Sequence, residues 1–235
     1  MDRRSFVKTC TLGASLLAAA GGLTPAAGAT ARRYHRARLV GADGAPLRIA
    51  ALQVGAQYVF HYPYALTPCF LLDLGRAAPG RSNLFTEHGE RYDWPGGVGP
   101  ARSVVAYSAI CAHRMAHPTP QVSYIGFRPP RNGDDPAAGL ISCCAEESRY
   151  DPASGAAVLS GPAEQPLAAI LIEHDAARDE LVAFGTLGGE MFQRFFAEFA
   201  ARLSFENPGR DLLAPASEEV VVRRLEDYSS NVVLC

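Results

Sequence analysis

Two short boxes hold the residue types that bind metals. The first runs Ile110-Cys111-Ala112-His113-Arg114-Met115-Ala116-His117. The second runs Ser142-Cys143-Cys144-Ala145-Glu146-Glu147-Ser148-Arg149-Tyr150-Asp151. Cys111-x-His113 sets a soft thiolate and an imidazole on one tight loop, and Cys143 offers a second thiolate from another. Donors of this kind suit zinc or an iron–sulfur group. Downstream, Gly161-Pro162 interrupts the run from Val158 to Leu167 with turn chemistry.

These loops need a frame, and the pattern predicts strands. Apolar and β-branched runs lie between turn signals at Leu47–Val54, Tyr58–Tyr62, Cys69–Leu74, Ser103–Ile110, Gly139–Cys143, Ala156–Leu159, Ala168–Glu173 and Glu180–Phe184. Their spacing predicts an antiparallel sandwich or barrel rather than βαβ units. One helix is expected over Glu190–Leu203, where Met191, Phe192, Phe195, Phe196, Phe199 and Leu203 fall on one face. That stripe is expected to dock on the chain's own core.

The chain has 235 residues, of which 48% are hydrophobic and 20% charged, which is enough for a real core and too apolar for disorder. A net charge of −2 gives no phosphate-binding surface, so nucleic acid is a poor partner. Beyond residue 31 no uncharged apolar run reaches the ~18 residues of a membrane span. No Gly-x-Ser-x-Gly, phosphate-binding loop or His-Glu-x-x-His supports a hydrolase or nucleotidase.

With these residues in view, the sequence resembles the Rieske [2Fe–2S] proteins. Their boxes read Cys-x-His and Cys-x-x-His, followed by a Gly-Ser-x-Tyr-Asp-like run and a Ser-Gly-Pro loop. The resemblance implies an all-β fold: a Rieske-type antiparallel sandwich or barrel base, an inserted cluster-binding subdomain over about 110–167, and one C-terminal helix. It implies that Cys111 and Cys143 bind one iron and His113 the other. Ser148 and Tyr150 match residues that donate hydrogen bonds to cluster sulfurs, and Gly161 and Pro162 match the loop that covers the cluster. A narrower resemblance, over Gly96–Arg102, Val104–Ser108 and Tyr62–Gly75, is to the small subunit of arsenite oxidase. It implies a subunit that relays electrons between a molybdopterin large subunit and a periplasmic cytochrome or cupredoxin, rather than a catalyst on its own.

The departures from the pattern are specific. Glu146 stands where the second histidine ligand belongs, and Glu147 where the family has glycine. Ala116 and Ala145 occupy the two positions that usually form a disulfide between the loops. The interval 114–142 is long, and the material around Phe127–Leu140, including Asp134-Asp135, reads as a surface loop. Four readings follow: Glu146 ligates iron; His117 or Cys144 supplies the fourth bond; no cluster binds and the chain is a structural or assembly subunit; or the site holds a single zinc or iron. A subunit of a quinol–cytochrome complex is a further alternative.

Residues 1–31 read as an export signal: Arg3-Arg4-x-Phe6-x-Lys8, a weakly apolar stretch, and Ala29-Thr30-Ala31 for cleavage. It resembles a twin-arginine signal, which implies a periplasmic destination. The body then covers 32–189, with an extension over 190–235 that either docks on a partner or covers a sheet edge. His35, His61, His88 and His174 are expected to be surface or satisfied core residues. Cys69 reads as a buried strand cysteine, with pairing to Cys235 as the other possibility.

Overall fold

The computed structural model describes residues 31–130 and 137–235. The expected signal, save its last residue, and the Asp134-Asp135 pair lie outside the described residues.

The described chain runs β1 (Arg32–Val40), β2 (Gln57–His61), β3 (Pro68–Asp73), β4 (Pro79–Phe85), β5 (Arg91–Gly96), β6 (Val104–Ser108), β7 (Ile125–Arg128), β8 (Leu140–Cys143), β9 (Ser148–Asp151), β10 (Ala157–Ser160), β11 (Ala169–Asp175), β12 (Glu180–Leu187), α1 (Phe192–Glu206), β13 (Glu219–Val221), β14 (Arg223–Arg224) and the single turn α2 (Leu225–Tyr228). This is the all-β architecture expected, with one long C-terminal helix.

An eight-stranded sheet in the order β13-β1-β12-β11-β6-β3-β2-β14 forms the base. Its two outermost strands are separated by Val222 alone. The segment 219–224 runs parallel to the end of β1 on one side and antiparallel to part of β2 on the other, so it nearly closes the sheet on itself. The extension therefore covers the sheet edges of its own domain.

β3 is buried along its whole length, which explains its unbroken apolar run. Its alternate residues feed two cores. Cys69 and Leu71 join Leu39, Phe60, Phe195 and Leu203 in one. Phe70 and Leu72 join Trp94, Tyr107, Tyr150, Cys111 and Cys143 in the other. Helix α1 docks on the first core through Phe192, Phe195, Phe196 and Leu203.

A four-stranded sheet, β10-β9-β8-β7, carries the second box. The Tyr107 hydroxyl donates to the Pro152 carbonyl at 2.7 Å, tying that subdomain to base strand β6. The hairpin β4-β5 stands apart as a third sheet.

The structure also departs from expectation locally. Leu47–Val54 is not a strand but a turn containing a short 3-10 helix, Ile49–Ala51. Phe127 and Arg128 belong to β7 rather than to a loop. Cys235 pairs with Cys144, not with Cys69, which stays a buried free thiol with its sulfur 3.0 Å from the Tyr62 carbonyl.

Phe195→Ala should lower the unfolding free energy by about 3–5 kcal/mol, because the ring is fully buried under α1. Phe205→Ala, on the same helix but 87% exposed, should change it by less than ~0.5 kcal/mol. Urea melts of both variants check the docking of the helix.

Candidate metal centre

Each box sits on a tight turn at the end of a base or subdomain strand. After β6 the chain folds back on itself: the Met115 amide donates to the Cys111 carbonyl at 3.0 Å, and the Cys111 amide to the Ala116 carbonyl at 2.9 Å. Between β8 and β9 the Glu146 amide reaches the Cys143 carbonyl at 3.3 Å. Met115 and Glu147 take left-handed backbone conformations, with φ of 57° and 59°. A side chain there costs on the order of 1 kcal/mol relative to glycine.

The two turns bring four donors together as two pairs. Cys111 and Cys143 are fully buried, and each sulfur is near enough to shift the protonation of the other. The neighbouring Cys143 thiol pulls the Cys111 thiol down to about 6. Burial opposes this, while the Tyr150 hydroxyl and the amides of His113 and Arg114 add to it. Cys143 is held well above the ordinary thiol range by the neighbouring Cys111 sulfur and by burial. Its sulfur also faces the amides of Ala145 and Glu146. Each sulfur thus lies in a nest of backbone N–H groups, an arrangement made for negative charge.

His113 and Glu146 form the second pair. Nδ1 of His113 is buried with no hydrogen-bond partner and lies 3.5 Å from Oε2 of Glu146. A buried ring nitrogen left unpaired is costly unless something binds it. About a quarter of each side chain is exposed, so this pair lies outward of the two cysteines. Among the described residues no three His, Cys, Asp or Glu side chains converge to hold one ion.

Of the residues expected to support the sulfurs, Tyr150 lies beside Cys111. The Tyr150 oxygen lies 3.2 Å from the Cys111 sulfur and accepts from the Ala112 amide at 3.2 Å. Because the amide is the donor there, the phenol proton is free to point at sulfur. Ser148 Oγ accepts from the Ala163 amide at 3.2 Å, which likewise leaves its own proton for another acceptor. Gly161 explains its own identity: a Cβ there would sit 2.5 Å from the Ser148 Cα and 2.6 Å from the Glu147 carbonyl oxygen. The Gly161-Pro162 turn therefore rests directly on the second box.

The two other proposed fourth donors are engaged elsewhere. His117 turns towards α1: Nδ1 donates to the Met115 carbonyl at 2.7 Å, and Nε2 accepts from Arg202 at 2.6 Å. Its ring packs on Phe195 and Phe199. Burial holds it neutral, down to about 4. Cys144 is half of the disulfide with Cys235, 91 residues away. A loop of that length removes about 4–5 kcal/mol of unfolded-chain entropy in the simplest model. Sequence reasoning treated this cysteine only as a possible ligand. Outside the signal the chain has five cysteines, an odd number that gave no hint of this pair.

Among the other histidines, His174 bonds Asp179 at 2.8 Å and His88 is exposed. His35 departs from expectation, since its buried Nε2 has no partner.

No protein-family model matches the chain. Among solved structures it is similar to the soluble domain of the Rieske protein II (soxF) from Sulfolobus acidocaldarius, at 24% identity and a TM-score of 0.48, over 67% of this chain and 82% of that one. It is also similar to the quaternary ammonium Rieske monooxygenase CntA in complex with an inhibitor, at 11% identity and a TM-score of 0.27, over 77% of this chain and 37% of that one.

Two outcomes test this geometry without any metal. In the metal-free chain, thiolate absorbance should rise with a midpoint near 6, and Tyr150→Phe should move that midpoint upward. His61 and His117 are both held down to about 4 by burial. A group with a depressed folded pKa adds stability that is present above its unfolded pKa of ~6.5 and is lost as pH falls towards 4. Chemical denaturation should therefore show stability falling between pH 6.5 and 4, by up to roughly 3 kcal/mol for each histidine. His117→Gln should flatten that slope.

Proposed function

We propose that the chain is a Rieske-type electron-transfer subunit whose two loops hold a [2Fe–2S] cluster with Glu146 in place of the second histidine. The observation that carries this reading is the division of the donors into a buried thiol pair and an outward imidazole–carboxylate pair. A single zinc or iron would need its donors to converge on one point, whereas a binuclear group needs two pairs. The unpaired, buried Nδ1 of His113 and the two amide-lined sulfurs fit that group.

When bound, the cluster supplies a site that takes up and releases one electron. The chain's own residues set the conditions for it. Cys111 and Cys143 would hold the inner iron, with Tyr150 and Ser148 each presenting a proton towards the sulfurs. His113 and Glu146 would hold the outer one. The carboxylate adds a negative charge where an imidazole would be neutral, which favours the oxidised state. The potential should therefore lie below the ~−150 to +300 mV of two-histidine centres.

The sequence resemblance over Tyr62–Gly75 and Gly96–Ser108 supports a molybdopterin large subunit as one partner and a cytochrome or cupredoxin as the other. The Arg3-Arg4-x-Phe6-x-Lys8 run supports export to the periplasm, by a route that carries proteins already folded.

Iron and acid-labile sulfide on anaerobically purified protein, with EPR after dithionite, test the reading. Two irons, two sulfides and a rhombic signal are expected. Folded protein that stays iron-free after reconstitution would overturn it. Glu146→His should keep the signal and raise the midpoint potential, while Glu146→Ala should lose iron.

A further inference from the structure

The two donor loops have no covalent link to each other: the free cysteines among the described residues are Cys69, Cys111 and Cys143. The second loop is tied elsewhere. Cys144, which directly follows the ligand Cys143 and begins the turn bearing Glu146, is bonded to Cys235, the last residue. The final residues are themselves laid along the chain that enters β7. Ser229 Oγ donates to the Thr119 carbonyl at 2.6 Å, and the Ser230 amide to the Pro120 carbonyl at 2.9 Å. The Ser123 amide donates to Asn231 and the Val233 amide to Ser123, each at 2.9 Å. On the other side of that segment the Cys144 amide donates to the Tyr124 carbonyl at 2.6 Å. The tail, the 119–125 segment and the second loop thus form one layer, and the disulfide staples across it.

Adjacent residues then carry opposite redox requirements. Cys143 must stay a thiol to bind iron, whereas Cys144 must be oxidised to make the staple. Oxidation of an empty site could join Cys111 to Cys143, both free and buried in the same core, or Cys143 to Cys235. Filling the site first withdraws Cys111 and Cys143 from that chemistry. Access points the same way: Cys235 is exposed and Cys144 half-buried, while Cys111 and Cys143 are fully buried.

We infer that Cys144 and Cys235 are positioning residues that close after the donor loops are filled, and that their disulfide locks the second loop on its metal group. The inference rests on the cluster reading for what fills the site. Closure is a thiol–disulfide exchange. The Cys144 and Cys235 thiols give up two protons and two electrons to form the S–S bond, and an oxidised low-molecular-weight disulfide is reduced to two thiols.

The test uses the purified chain, reduced and metal-free, with ferrous iron and sulfide added before or after oxidised glutathione. Iron capture by a chelator is followed in time, and disulfides are mapped by mass spectrometry. Filling first should yield Cys144–Cys235 and slow iron release by about tenfold relative to Cys235→Ser. Oxidising first should yield bonds involving Cys143 and block filling. Cys144→Ala, Cys235→Ser and the double variant should share one altered EPR line shape and midpoint potential, because all three open the same staple. Equal release rates with the staple open and closed would overturn the lock, as would normal filling after oxidation. If the chain takes up no iron, the cluster reading fails by itself. Hydrogen exchange then decides the staple in the empty chain: amides 143–148 should exchange about tenfold faster in Cys235→Ser, and unchanged exchange overturns it.

Discussion

Two sulfur atoms share one dry site in this protein, and only one of them can comfortably carry charge. Two neighbouring thiolates in a low-dielectric interior repel strongly, so the second proton is held far more tightly than the first. The opposed shifts of Cys111 and Cys143 express that constraint. The chain meets it with donors: amides of His113 and Arg114 around one sulfur, amides of Ala145 and Glu146 around the other, and the Tyr150 hydroxyl on Cys111. Such a nest favours negative charge, and a bound cation would allow both sulfurs to ionise together. Much of the surrounding architecture serves to keep these two turns face to face.

That service comes from three directions. Base strand β6 delivers the first turn, and the Tyr107–Pro152 bond holds the subdomain strands against it. The Gly161 turn lies on the second box so closely that no side chain fits between them. The C-terminal segment holds both turns from behind, the first through Arg202 and His117 and the second through Cys235 and Cys144. The same segment nearly closes the eight-stranded sheet through residues 219–224. Closure of the base and support of the site therefore depend on one stretch of chain.

Local signals made part of this legible in the sequence. Cys111, His113, Cys143 and Tyr150 stand out because short-range spacing puts them on two turns, and the apolar stripe of α1 names its buried face. The unbroken apolar runs of β3 and β6 read as strands because both faces are covered. Other features depend on distant partners. β13 and β14 are too short to carry a periodic signal, and only pairing with β1 and β2 makes them strands. β1 is hidden by its arginines, which point outward to Glu173, Glu180, Glu190 and Glu219. Leu47–Val54 has strand composition, but its backbone winds into a 3-10 turn at Ile49–Ala51. The Cys144–Cys235 bond follows from the path of the tail, which no spacing rule encodes.

The central claim is that an imidazole and a carboxylate, rather than two imidazoles, complete the outward pair. Pulsed EPR of the dithionite-reduced, iron-loaded chain reads this directly through the nitrogen couplings. The account predicts one strongly coupled ring nitrogen, lost in His113→Ala and joined by a second in Glu146→His. Two strongly coupled nitrogens in the unaltered chain would place another histidine on the metal and contradict it.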